Sequence, residues 1–348
     1  MTASSFVTAA TASIALAPKL GTFSATYPGG AAVPVIEDNV SNMDVVRAGN
    51  FLYAFGGYNG NFNIAVYRTR KATINADGTL TPLNKILMDL QGQTGANGPR
   101  AIKLGSWMYV IGGRPESGAS FRKIERAAMN PDNTFADAAF SVTADNLRLV
   151  TGRSDFQILR VGDFLYALGG FNQQGGTGIA SVERASIAAD GTLGVWSNVA
   201  EVTLRAARGG MGAAVIGNYF YVFGGYGNSV LASVERATVN FQTGALGNFE
   251  TVAASPLFLG VSGAQTFVGG GYVYLIGGHI QNGTYQTSVQ RSKIASDGTL
   301  GSFAAYTGSS LPTARGFQGI FANGDKVHLF GGLNESNRTS AIWVAEFK

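Results

Sequence analysis

The seven residues Phe51 to Gly57, Phe-Leu-Tyr-Ala-Phe-Gly-Gly, return in altered form five more times along the chain. Trp107 to Gly113, Phe164 to Gly170, Tyr219 to Gly225, Tyr272 to Gly278 and Lys326 to Gly332 each read as an alternating apolar strand closed by a glycine pair. The first glycines stand at 56, 112, 169, 224, 277 and 331, so the steps are 56, 57, 55, 53 and 54 residues. A period this regular over 348 residues means one structural unit built six times, and it favours a single closed domain over the two or three that length alone would give.

Each unit reads as four short strands. The first is small and apolar, as in Gly209 to Ile216, and the second is the glycine-closed stretch. Between them lies a turn of fixed chemistry: Gly49-Asn50, Gly105-Ser106, Gly162-Asp163, Gly217-Asn218, Gly270-Gly271 and Gly324-Asp325. Such pairs tolerate positive φ and close tight hairpins. The third strand carries Val66-Tyr67-Arg68, Ile124-Glu125-Arg126, Val182-Glu183-Arg184, Val234-Glu235-Arg236, Val289-Gln290-Arg291 and Ile342-Trp343-Val344. The fourth follows Asp190 to Trp196, in which Asp-Gly turns the chain and an aromatic plugs the interface to a neighbour; Thr243 to Phe249 and Asp297 to Phe303 repeat it. No stretch has a helical period.

Four-stranded antiparallel sheets that are apolar on both faces bury both by stacking radially, which gives an all-β, six-bladed propeller. The blades are expected at about 43–87, 99–142, 153–199, 208–252, 262–305 and 315–348. The last lacks a fourth strand of its own. Residues Ala12 to Phe23 align without gaps on Ala185 to Trp196, so 14–25 is expected to complete blade 6 and to close the ring, removing exposed sheet edges. Phe6 to Ala17 is faintly like a signal peptide, but no Lys or Arg precedes it and it matches the repeat.

A strand ending in Gly-Gly, then a strand with a charged or aromatic residue, then a Trp or Phe, resembles the kelch repeat. The resemblance covers essentially the whole chain and implies the propeller fold; kelch propellers are too varied in role for it to imply one function. Two departures stand out. Arg and Glu replace the usual third-strand tyrosine, and only one copy of the last aromatic, Trp196, is tryptophan.

Hydrophobic residues make up 45% of the chain, with 49 glycines and 13% charged residues, enough for a packed core and against disorder. No apolar run reaches the ~18 residues of a membrane helix. The formal charge of +4 is spread once per repeat and does not point to nucleic acid. Cysteine is absent, which removes disulfides, thiolate catalysis and Cys-based metal sites.

The long, unlike connections, from strand two to three and from one blade to the next, share one face, and the functional surface is expected there. Just after each glycine pair stand Tyr58, Arg114, Phe171, Tyr226, His279 and Leu333 at equivalent positions, with Asn59, Asn172, Asn228, Asn282 and Asn334 nearby. Aromatic faces beside amides suit sugars and protein loops; the same residues also suit packing on the next blade and turn capping. Arg153, Arg208 and Arg315 lie sixteen residues before their glycine pairs, near the channel mouth, where Val40, Ala96 and Val261 stand in the other units. A guanidinium there either grips a carboxylate or bonds loop carbonyls. The third-strand arginines recur and read as structural, with Glu125, Glu183 and Glu235 as partners for neighbouring arginines.

The catalytic inventory is thin. His328 occupies a slot held elsewhere by tyrosine, His279 stands alone in a loop, and neither accompanies a nucleophile motif. Zinc and calcium patterns are absent, so no metal or cofactor is expected. Galactose-oxidase-like kelch enzymes need a cysteine this chain lacks. Six-bladed sialic-acid mutarotases are closer in size and need no cofactor, and that resemblance would give Glu37, Glu116, Glu201 or Glu335 an acid or base role. The reading is a non-enzymatic binding or assembly module recognising a protein or glycan, its composition resembling a bacterial or phage surface protein. The alternative is a cofactor-free carbohydrate isomerase.

Overall fold

In the computed structural model, which describes residues 18–59, 64–90, 96–335 and 337–348, each repeat forms an antiparallel sheet whose strands follow in chain order. Blade 1 runs Asp44–Ala48, Phe51–Phe55, Arg68–Thr73 and Asn84–Asp89, and blade 3 runs Gln157–Val161, Phe164–Leu168, Ser181–Ser186 and Ser197–Thr203. In blade 4 the outer edge is split into Ala245–Leu246 and Glu250–Thr251. The sole helical element among the described residues is a 3-10 turn at Asp145–Leu147. The chain is a six-bladed, all-β propeller.

Because strand side chains alternate between faces, every blade is apolar on both sides, and the core divides into six clusters, one at each blade interface. A large apolar residue beside the fourth strand of each blade enters the interface with the preceding one: Leu83 does so in blade 1, and Phe140, Trp196, Phe249 and Phe303 in blades 2 to 5. In blade 6 that place is taken by Phe23, beside Leu20, from the N-terminal segment.

Blade 6 consists of Gly319–Asn323, Lys326–Phe330 and Ile342–Glu346. Its fourth edge is the N-terminal segment. Gly21 N–H donates to the Glu346 carbonyl at 2.8 Å, and Ser24 and Val344 exchange two bonds of 2.9 Å. Residues 14–17, and the signal-like stretch 6–17, lie outside the described residues.

A second device couples neighbours. The hydroxyls of Tyr53, Tyr109, Tyr166 and Tyr221 donate to turn carbonyls of the next blade, at Asn133, Gly191, Gly244 and Gly298, over 2.7–3.2 Å. Blade 6 has His328 in that slot, fully buried between Phe321, Phe330 and Tyr27. Tyr27 supplies the missing hydroxyl, which accepts from Leu80 N–H at 3.0 Å.

The strand register corrects one expectation. Tyr53 pairs with Lys71 as Tyr109 pairs with Arg126, so the third strand of blade 1 begins later than Val66-Tyr67-Arg68, and Arg70 stands where Glu125 does. The third-strand cations do not meet the third-strand glutamates, although Arg236 pairs with Glu250 of the outer strand at 2.7 Å. Lys71, Arg126, Arg184, Arg236 and Arg291 lie over Phe51, Trp107, Phe164, Tyr219 and Tyr272, at 3.6–4.6 Å from the ring centres, while the adjacent glutamates face the opposite side.

A candidate binding face at the channel mouth

Before each innermost strand the backbone passes through one left-handed residue: Asn42, Gly98, Asp155, Gly210, Gly263 and Phe317, with φ between 51° and 70°. The N–H of each donates to the carbonyl of its counterpart in the preceding blade, over 2.7–3.0 Å, and Asn42 closes the circle onto Phe317 at 2.8 Å. Six hydrogen bonds therefore ring the mouth of the axial channel. Glycine takes this conformation freely and Asn and Asp tolerate it, but a phenylalanine held there stores about 1–3 kcal/mol. Strain of that kind persists where the surroundings impose it.

The residue preceding each of these is bridged to the position after the glycine pair: Ser41 to Tyr58, Asn97 to Arg114, Ser154 to Phe171, Gly209 to Tyr226, Ser262 to His279 and Gly316 to Leu333. All six side chains are half-buried and stand at equivalent points around the mouth. They divide into two sectors. In one, Phe171 and Tyr226 lie 6.5 Å apart, while His279 is 5.7 Å from Phe317 and 5.6 Å from Tyr285. Burial lowers the His279 pKa and raises that of Tyr285 to about 12, so this sector is neutral at pH 7. In the other, Asn42 Nδ2 donates to Asp155 Oδ1 at 2.8 Å, Arg114 Nε lies 3.9 Å from Asp155 Oδ2, and the Arg338 guanidinium stacks 4.3 Å from the Tyr58 ring centre. Beneath the mouth lies a cavity of about 120 Å³ whose polar walls include Asp44, Arg100, Gln157 and Gln265.

The asparagines divide. Asn282 accepts from Thr284 N–H at 3.0 Å and caps its turn, Asn59 is buried, and Asn172 and Asn228 are exposed.

The three arginines do not project into the mouth. Arg153 and Arg208 are fully buried beneath it: Arg153 donates to the carbonyls of Gly169 and Ser181, Arg208 to those of Gly224 and Ser233, and they pair with Glu183 and Glu235. A buried guanidinium must be paired locally, and the terminal nitrogens of both are taken by carbonyls and a glutamate, so carboxylate capture from solvent is not open to them. Arg315, 3% exposed, donates to the Gly331 carbonyl at 2.7 Å and stacks on Trp343. Glu37, Glu116, Glu201 and Glu335 are exposed, and Glu201 sits on an outermost strand, remote from the channel.

The six positions after the glycine pairs stand around the mouth, and the left-handed ring beside them, including Asp155 and Phe317, was not foreseen from the sequence. Its signal was present: Gly98, Gly210 and Gly263 each stand two residues before an innermost strand, in register with the other three. Among the described residues no group of three or more His, Asp or Glu is placed to hold a metal, and no helix is long and apolar enough to cross a membrane.

Residues 207–236, which span the first two strands of blade 4 and the start of its third, match the kelch motif. The chain is thus a six-bladed β-propeller that carries a kelch motif in blade 4. No curated protein sequence matches it. Among solved structures, that of YjhT is similar, with a TM-score of 0.67 at 12% identity, over 91% of this chain and 99% of that one. Likeness at that identity speaks for the fold alone.

Proposed function

We propose that the protein is a recognition module that binds a glycan across its channel mouth and performs no chemistry on it. The observation that carries this reading is the pair of sectors on one rigid ring: neutral aromatic faces at Phe171, Tyr226, His279 and Phe317 opposite the donors and acceptors of Asn42, Arg114 and Asp155. A sugar ring offers an apolar face and polar edges, and the two sectors match both. Because hydrogen bonds between blades hold the ring, little order has to be gained on binding. Kelch propellers work as binding modules in general, and the fold supports that coarser role directly.

The test is a glycan array with the purified protein and its Phe317→Gly variant. Glycine relieves the left-handed strain, so the variant should melt no lower than the parent while losing about tenfold or more in affinity for any glycan hit. Unchanged binding by the variant, or a protein ligand competing where no glycan binds, would sink the glycan reading. An anomer-exchange assay on each hit separates binding from isomerase activity. Acceleration lost in Asp155→Asn would give the second reading its base, since Asp155 stands at the mouth while Glu201 lies on an outermost strand.

A further inference from the structure

Strand pairing sets six residues in one slot of the third strand: Arg70, Glu125, Glu183, Glu235, Gln290 and Trp343 in blades 1 to 6. Five of the six blades settle this slot internally. Arg70 meets Asp38 at 2.7 Å, Glu125 meets Lys123 at 2.7 Å, Glu183 and Glu235 meet Arg153 and Arg208, and Gln290 exchanges bonds with the Leu259 backbone. Blade 6 keeps the arginine, Arg315, and puts Trp343 in the slot. Among the described residues Arg315 has no acidic partner; its guanidinium donates to the Gly331 carbonyl at 2.7 Å and the Thr313 hydroxyl at 3.4 Å, and burial brings its pKa down to about 9.

Arg315 lines a cavity of about 210 Å³ on the loop face, shared with Thr313, Asn334, Asn337, Arg338 and Thr339. Among the described residues Arg338 likewise forms no ion pair; it donates to Ser41 Oγ at 3.2 Å and stacks on Tyr58. Glu335, three residues before Arg338 in sequence, is exposed. Two guanidinium groups, two hydroxyls and two amides thus converge on one cavity with no negative charge among them.

We infer that this cavity is a binding site for a carboxylate, which supplies to Arg315 the counter-charge that Glu183 and Glu235 supply in blades 3 and 4. A planar carboxylate fits a forked guanidinium, and Thr313 and Thr339 offer hydroxyls to its remaining lone pairs. Arg338 adds the second charge. The cavity holds a free carboxylate or the acid group of a uronic acid. This site lies beside the mouth and does not depend on glycan binding there.

The test is calorimetric titration of the whole chain at pH 7 with acetate, with glucuronate and with glucose. Acetate or glucuronate should bind at one site while glucose does not bind there. Acetate alone marks a free-carboxylate site; both together mark one that also takes sugar acids. Arg338→Gln should weaken binding about tenfold. Trp343→Glu places the internal partner of blades 3 and 4 beside Arg315 and should abolish binding. Silence toward both acids, or equal affinity for glucose, would overturn the proposal. So would binding that Arg338→Gln leaves unchanged, a result that holds even if Trp343→Glu does not fold.

Discussion

Blades 3 and 4 and blade 6 bury the same arginine at the same place in the repeat and resolve its charge differently. In blades 3 and 4 the guanidinium meets a carboxylate one strand away, and that carboxylate also accepts two backbone N–H groups, from Val150 and Thr151 or from Arg205 and Ala206. These blades are electrically closed. In blade 6 an indole face stands in for the carboxylate, and the cavity beside it stays open to an anion. One scaffold thus supports a sealed joint and a recognition site, and the choice between them turns on a single third-strand residue.

The largest effect should come from breaking the sealed version. Glu235→Ala leaves Arg208 buried and unpaired and strips an acceptor from two N–H groups, so the unfolding free energy should fall by about 3–5 kcal/mol, read from the urea midpoint. Arg315→Leu in blade 6 removes a charge that had no acid to lose and should cost only about 1–2 kcal/mol. Equal losses would mean that carbonyls and packing, and not ion pairing, hold all three arginines.

Acid sharpens the contrast from another side. His328, buried where four other blades have a latched tyrosine, has its pKa depressed to about 4 by desolvation, against 6.5 in the unfolded chain. The unfolded chain therefore takes up the proton first. Stability is intact above pH 6.5 and drains as pH falls toward 4, by about 3 kcal/mol in all. His328→Phe should flatten that part of the pH profile, measured by urea melts from pH 7 to 4; a profile that keeps its slope would place the acid sensitivity elsewhere.

The smallest effect tests whether the N-terminal segment is a full member of blade 6. Tyr166→Phe removes a blade-to-blade hydroxyl bond and should cost about 1 kcal/mol, and Tyr27→Phe should cost the same if its hydroxyl does the equivalent work between blades 6 and 1. A negligible loss for Tyr27→Phe alone would show that this joint rests on packing.

Most of the fold was legible because it is written in short-range terms. The glycine pairs, the Gly-Asn and Asp-Gly turns and the period-two apolar runs each specify a strand or hairpin within a few residues, and six copies agree. The gapless match of Ala12–Phe23 to Ala185–Trp196 even carried the closure of blade 6, because Leu20 and Phe23 fill the places of Leu193 and Trp196. Blade 1 was misread by three residues because Val66-Tyr67-Arg68 imitates the Val-x-Arg pattern ahead of the register in which Lys71 pairs with Tyr53. The mouth was half legible. Tyr58 to Leu333 followed from repeat position alone, whereas the roles of Arg153, Arg208 and Arg315 did not, since local spacing places an arginine without showing what lies against it.

By itself the sequence determined the repeat, the strand order, the closing segment and the face on which the unlike loops gather, all consequences of local backbone preference and side-chain periodicity. Only the tertiary structure decided which charges are spent and which remain available. Whether an arginine meets a glutamate, an indole or an open cavity depends on a residue some 30 positions away brought within hydrogen-bonding reach, and burial then makes that one neighbour decide between a sealed core and a binding site.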